Sequence, residues 1–277
     1  MCHLEIQNLQ RILINPLMKR STFCFVSLFL STIHVSIAQT ETREQQAQKT
    51  EVWKPVPPII TASEKPGGAP SDALILFSGD SLSEWVSSKD TTKPAGWIVA
   101  GDIFTVNKPA GSIQTKRTFT DYQLHIEWRI PTNITGSGQG RGNSGVFLGG
   151  WGAGDAGYEI QVLDSYKNET YVNGQAGSIY KQHIPLVNIN KAPGEWNVYD
   201  IIWTAPRFNE NGSLKSPARV TALLNGALVQ NNVEVKGDTR WIGTPEYHKH
   251  GPLPIKLQSH GDPSEPISFR NIWVRAL

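Results

Sequence analysis

Cysteine is nearly missing from this 277-residue chain: Cys2 and Cys24 are the only two, and both fall in a segment that reads as a removable leader. The mature chain would then hold none, which excludes a disulfide framework, a thiolate nucleophile and a cysteine metal site. A dominant charge is missing too, because 26 Lys and Arg stand against 24 Asp and Glu for a formal +2. Scattered along the chain, these residues make no basic stripe for nucleic acid and no patch for an acidic membrane, so no polyanionic partner is expected. Long hydrophobic runs are limited to "FCFVSLFLSTIHVSIA", residues 23–38. It is broken by Ser, Thr and His and falls short of the roughly 20 apolar residues a membrane span needs. Lys19 and Arg20 precede it, and Ser36 and Ala38 occupy the small-residue positions before a cleavage site. The expectation is a signal peptide over residues 1–38, cleavage near Ala38, and an exported chain, periplasmic or secreted, without a stable membrane span.

Residues 39–71 are polar and then proline-rich ("WKPVPPII", "EKPGGAP"), with no periodicity able to bury a face, and read as a flexible arm or linker. From Asp72 onward, short apolar or alternating runs recur between turn residues: "ALILF", "GWIVAGDIFTV", "YQLHIEWRI", "SGVFL", "YEIQVL", "WNVYDIIWT", "RVTALLNGALVQ", "LPIKLQS" and "ISFRNIWVRAL". Their length, β-branched and aromatic content and Gly or Asn boundaries predict strands. Helical signals are nearly absent, and Asn225-Gly226 between two such runs predicts a two-residue hairpin. Many strands, no interleaved helices and no internal repeat predict one all-β domain over 72–277, a two-sheet antiparallel jelly-roll sandwich.

Strand parity then sorts the side chains. Leu124, Ile126, Trp128 and Ile130 share one face of their strand, leaving His125, Glu127 and Arg129 on the other. Ile160 and Val162 oppose Glu159 and Gln161, while Ile255 and Leu257 oppose Lys256, Gln258 and His260. A plain wet sheet face would carry more Lys and Thr. Here amides and carboxylates recur beside glycine and aromatics, which suits a sugar: hydroxyls at its edges need hydrogen-bond partners and its C–H faces need rings. Asn143, Glu159 and Gln161 are therefore expected on the floor of a groove. Trp151 in "GGWGAGDAG" and Trp241 in "RWIGTPEYHKHG" are candidate stacking platforms. The histidines of "EYHKHG" have no third metal ligand near them in sequence, "GSGQGRGNSG" lacks the strand-then-helix context of a phosphate cradle, and no G-x-S-x-G serine motif occurs. No metal or other cofactor is expected, and a structural divalent cation has no sequence support.

At "LFSGDSLSEW", "GNSGVFL", "YEIQVLDSY", "GSIY" followed by Pro185, "PGEWNVYDI", "LLNGALV", "PIKLQSHG" and "FRNIWVR" the chain resembles the 3-keto-disaccharide hydrolase family, whose fold is a concanavalin A-like jelly roll. The resemblance runs from about Asp72 to Leu277 and is carried by the ordered set of pieces. It implies a substrate glycoside with a ketone at carbon 3, installed by a partner sugar 3-oxidoreductase. That ketone acidifies the hydrogen on carbon 2, so a base removes it, the enolate expels the group on carbon 1, and water adds to the enone. Glu159 or His260 is the expected proton-transfer group, with Glu127 a third candidate. Arg141, Asn143, Gln161, Lys181 and Gln258 are the expected donors to hydroxyls and the developing oxyanion, and Asp164 has a turn role. One departure concerns His260: the family commonly places an acid immediately before the closing His-Gly, where this chain has Ser259. Two rival functions follow from the same residues: a non-catalytic carbohydrate-binding module, and a conventional glycosidase pairing Glu127 with Glu159 across about 5 to 9.5 Å.

Overall fold

The computed structural model describes residues 40–277, so the leader expected over residues 1–38 lies outside the described residues. The chain divides into a unit ending at Pro57 and a compact unit from Pro58 to Leu277. In the first, Arg43–Gln48 form α1, opened by a capping box: the Thr42 hydroxyl accepts from the Gln45 amide, and the Gln45 side chain accepts from that of Thr42. The helix buries no residue, in keeping with the polar composition of the segment. No helix among the described residues is long and apolar enough to cross a membrane.

The regular structure of the second unit is almost wholly strand. In chain order they are β1 (Leu74–Phe77), β2 (Trp85–Ser87), β3 (Ile98–Ala100), β4 (Ile103–Thr105), β5 (Ile113–Thr115), β6 (Tyr122–Arg129), β7 (Ser144–Trp151) and β8 (Ala156–Val162). There follow β9 (Trp196–Thr204), β10 (Arg207–Phe208), β11 (Leu214–Ser216), β12 (Arg219–Leu224), β13 (Ala227–Glu234), β14 (Lys256–Leu257) and β15 (Ser268–Ala276). Every run read as a strand forms one. β2 and β5 are only three residues each, too short for alternation to register. Asn225 and Gly226 join β12 to β13 with φ of 51° and 82°, the paired positive angles of the tight turn their sequence predicts.

Eight strands make the larger sheet in the order β13-β12-β9-β6-β15-β4-β3, with β1 also on β15; the smaller sheet runs β2-β5-β14-β7-β8, and β10-β11 is a separate hairpin. All of these pairings are antiparallel. The core lies between the sheets, where Leu124, Ile126, Trp128, Tyr199 and Ile201 of the larger meet Val146, Ile160, Val162 and Leu257 of the smaller. Each such aliphatic side chain removed from water contributes about 1.5–3 kcal/mol. The result is the all-β jelly-roll sandwich that the alternation predicts. With one face of each sheet spent on this core, the chemistry-bearing residues can only stand on the two outer faces.

Candidate active site

On the smaller sheet, register fixes the outer face. Phe147 of β7 pairs with Glu159 of β8 and with Lys256 of β14, while Gly145 pairs with Gln161. Diagonal neighbours on one face of an antiparallel pair touch, and Gly145 is what admits the Glu159 carboxylate: a Cβ there would lie 2.1 Å from Glu159 Oε1. Above this face is a cavity of about 470 Å³ lined by, among others, Asn143, Glu159, Gln161, Gln258 and His260. With Trp241 on the wall, six of the ten residues expected from sequence to bind or catalyse thus converge on one pocket.

Glu159 is 4 % exposed. Its amide donates to Thr239 Oγ1 at 3.0 Å, which fixes the backbone, and among the described residues its carboxylate has no cationic partner. Burial, reinforced by the neighbouring charge of Asp155, raises its pKa to about 8. A carboxyl group tuned that close to neutrality can take and return a proton near physiological pH.

The second titratable group is built differently. His260 Nδ1 lies 2.9 Å from Asp262 Oδ2. Burial works against charge on Asp262, but hydrogen bonds from His260 and Ser264, with Lys108 nearby, outweigh it and hold the pKa below the ordinary value. An ionised carboxylate only accepts, so a proton on Nδ1 is what binds Asp262, and Nε2 is left on the cavity side to take or give a proton. Asn143 Nδ2 stands 3.5 Å from that Nε2, and Asn143 Oδ1 accepts from Gln161 Nε2 at 2.8 Å. The acid that Ser259 fails to provide is therefore supplied two residues after His260 instead of one before it.

Gln258 is 5 % exposed, and its Oε1 has no hydrogen-bond partner among the described residues. A buried amide oxygen left unpaired costs about 1–3 kcal/mol, so it is an acceptor open to a ligand hydroxyl. Gln161, by contrast, spends its amide on Asn143, Ser144 and Val162, and it shapes the floor more than it can bind.

Four expected residues are placed elsewhere. Glu127 is on β6 of the larger sheet, facing away from the core side that holds Ile126 and Trp128. The two sheets and the core separate it from Glu159, so the pairing of these two carboxylates in a glycosidase is ruled out geometrically. Burial alone would raise Glu127, yet His125, Asn271 and Arg270 bring it down to about 2. Arg141 is ion-paired with Asp164 at 2.7 Å, so Asp164 has a structural role. Lys181 donates to the Trp241 carbonyl at 2.7 Å and not into the cavity. Trp151 packs edge-on to Tyr158 at 5.6 Å, anchoring the β7–β8 hairpin, and the tryptophan on the cavity wall is Trp241.

Residues the sequence did not single out complete the wall: Gln139, Asp155, Tyr171, Tyr180, Thr239 and Asp262. Tyr171 and Tyr180 share a hydroxyl–hydroxyl bond of 2.6 Å. Both lie on irregular segments, where no periodicity marks which way a side chain faces. Asp262 alone carried a signal, as the acid nearest a candidate histidine. Among the described residues no group of three or more His, Cys, Asp or Glu is arranged to hold a metal ion.

Residues 72–275 match the family model described as the 3-keto-alpha-glucoside-1,2-lyase-like domain. The chain belongs to this family. A crystal structure of a candidate glycosyl hydrolase from Parabacteroides distasonis ATCC 8503 is 56 % identical, with a TM-score of 0.77 over 83 % of this chain and 96 % of that one. A second from the same organism, at 18 % identity and TM-score 0.53 over 79 % and 98 % of the chains, shares the fold of this 3-keto-α-glucoside-1,2-lyase-like domain. A search of curated proteins gives no match.

Proposed function

We infer that this chain is a carbohydrate-active lyase or hydrolase that cleaves 3-keto-glycosides by elimination followed by hydration. The observation that carries the reading is a buried carboxyl group without a cationic partner, Glu159, in one cavity with a carboxylate-oriented imidazole, His260. Ionised Glu159 takes the proton from carbon 2, made acidic by the ketone on carbon 3. The electron pair left behind forms the enolate, whose oxygen accepts from the Gln258 side-chain Nε2 on the cavity wall. When the enolate collapses, the bond from carbon 1 to the leaving oxygen breaks and protonated His260 gives that oxygen its proton from Nε2. Asp262 stabilises the imidazolium through Nδ1–H while it waits. Water then adds across the enone, its oxygen to carbon 1 and its proton to carbon 2, and the sum is hydrolysis. If the enone departs first, the outcome is a lyase. The ketone has to be made by a sugar 3-oxidoreductase upstream, and the sequence of residues 1–38, read as a leader, supports export. No cofactor enters this scheme.

The test is product analysis by mass spectrometry for the wild-type chain and Glu159→Gln, each given a 3-keto-disaccharide and its unoxidised parent. Cleavage of the keto sugar alone, with a loss of roughly 10²–10⁴-fold in the variant, is the expected result. Cleavage of the parent would overturn the elimination in favour of a two-carboxylate glycosidase using Glu159 and Asp155. Sugar binding without cleavage of either would make the domain a binding module.

A further inference from the structure

One wall of the cavity is built from two phenols. Ile179 forms an isolated antiparallel bridge with Ile160, and the Tyr180 amide donates to the Glu159 carbonyl at 3.2 Å. Residues directly opposite in an antiparallel pair put their side chains on one face, with Cβ atoms about 4.5–5.5 Å apart. Tyr180 therefore stands beside Glu159 on the cavity wall. Its hydroxyl lies 2.6 Å from that of Tyr171, whose own ring is seated on bare backbone: a Cβ at Gly174 would collide with it. Lys181 donates to the Trp241 carbonyl at 2.7 Å and sets its ammonium 5.6 Å from the Tyr171 ring and 5.9 Å from that of Tyr180. The hydroxyl pair is thus held in place by backbone register, a glycine seat and a tethered cation.

We propose that Tyr180 is a catalytic residue, a second donor to the enolate oxygen beside Gln258, and that Tyr171 is a positioning residue acting through it. The inference rests on the reading of Glu159 as the proton-abstracting group. When the base takes the hydrogen from carbon 2, negative charge settles on the oxygen carried by carbon 3, the neighbouring ring atom. A donor for that oxygen has to stand next to the base, which is where register puts Tyr180. Two hydroxyls that share one hydrogen bond spend one proton on it and keep the other. A ketone oxygen can only accept, so it selects the arrangement in which Tyr171 donates to Tyr180 and Tyr180 donates onward, its O–H polarised by the bond it accepts. Burial first, then the bond to Tyr171 and the charge of Glu159, push the Tyr180 phenol up, so it keeps its proton across the range in which Glu159 titrates. No proton leaves the phenol. Its bond to the oxygen strengthens as charge develops, and a contact of that kind raises kcat more than it lowers KM.

The test compares steady-state kinetics on 3-keto-maltose for the full-length wild type, Tyr180→Phe, Tyr171→Phe and the double variant, all of which keep both rings. Tyr180→Phe is expected to lower kcat roughly 100-fold with KM little changed. Tyr171→Phe should lower kcat only about two- to tenfold, and the double variant should be no slower than Tyr180→Phe alone. A kcat for Tyr180→Phe close to that of the wild type, a loss carried by KM, or losses that multiply in the double variant would each overturn the proposal. A second measurement reads the contact without turnover: the infrared carbonyl band of 3-keto-maltose bound to Glu159→Gln, whose frequency a donor to the ketone lowers. Adding Tyr180→Phe should move that band back up, and a band that stays where it was would remove Tyr180 from the ketone. Failure of the wild type to cleave 3-keto-maltose would overturn the elimination, and the band would still judge the contact. No binding of the keto sugar would overturn both.

Discussion

Gly145 shows how much one missing side chain can decide. Its position on β7 places no demand on backbone conformation, so alanine should leave the strand intact, yet the added Cβ would lie 2.1 Å from Glu159 Oε1 and 2.8 Å from its Cδ. The carboxyl group must swing out of its seat. Since a displacement of about 1 Å at a reacting group can cost on the order of 100-fold, we predict that Gly145→Ala lowers kcat by roughly that factor. Its melting temperature should fall by only a few degrees and its circular dichroism should not change. Wild-type turnover in this variant would mean that Glu159 is not the group that moves the proton. The glycine was legible only as part of "GNSGVFL", because strand parity tells which way a residue points and not what its absence makes room for.

At the scale of the element, the β7–β8 hairpin explains why an outward-facing lysine is nonetheless fully buried. Lys256 of β14 runs along Phe147, and its Nζ donates to the carbonyls of Trp151, Gly152 and Gly154 at 2.9, 3.0 and 2.8 Å. A turn rich in glycine has little else to order it. Lys256→Met should strand these acceptors and destabilise the fold by about 1–3 kcal/mol, read as a lower urea midpoint together with faster amide exchange across residues 151–156. A midpoint equal to the wild type would show that the lysine is not what holds the turn. The same strand shows where sequence reading stopped. Alternation correctly put Lys256, Gln258 and His260 on the outer face, but only the register with β7 reveals that Lys256 points toward the hairpin while the other two share the cavity. Glu127 lies away from the cavity for a related reason. Its parity was right, but a jelly roll has two outer faces, and parity cannot tell one sheet from the other.

For the whole molecule, the outer face of the larger sheet is a second polar network. His125 stacks on Trp273 at 5.2 Å, lies 2.7 Å from Asp200 through Nδ1, and neighbours Asn271 and Glu127. Desolvation disfavours its charge, but hydrogen bonds donated to Asp200 and Glu127 outweigh that and raise the pKa to about 9. The network is satisfied internally, with each charge facing an opposite one, so it serves stability. Glu159 is the contrast, a charge held where nothing compensates it, and its signature should be a conflict between function and stability. Between the ordinary 4.5 and the native value of about 8, the unfolded carboxyl group has lost its proton while the native one keeps it. The native state therefore binds more protons and stability falls as pH rises through this window, by an amount on the order of a few kcal/mol. Turnover by a carboxylate base runs the other way: Glu159 gives kcat/KM on a 3-keto-disaccharide a limb that rises with pH toward about 8, and loss of the His260 proton adds a falling limb. Glu159→Gln removes both trends at once. Its melting temperature should exceed that of the wild type by a margin that grows from pH 4.5 to 8, while its turnover stays low throughout. A margin that does not change with pH would show that Glu159 titrates normally. A rate with no rising limb between pH 4.5 and 8 would show that ionised Glu159 is not the base, since the acid His260 can add only a falling limb.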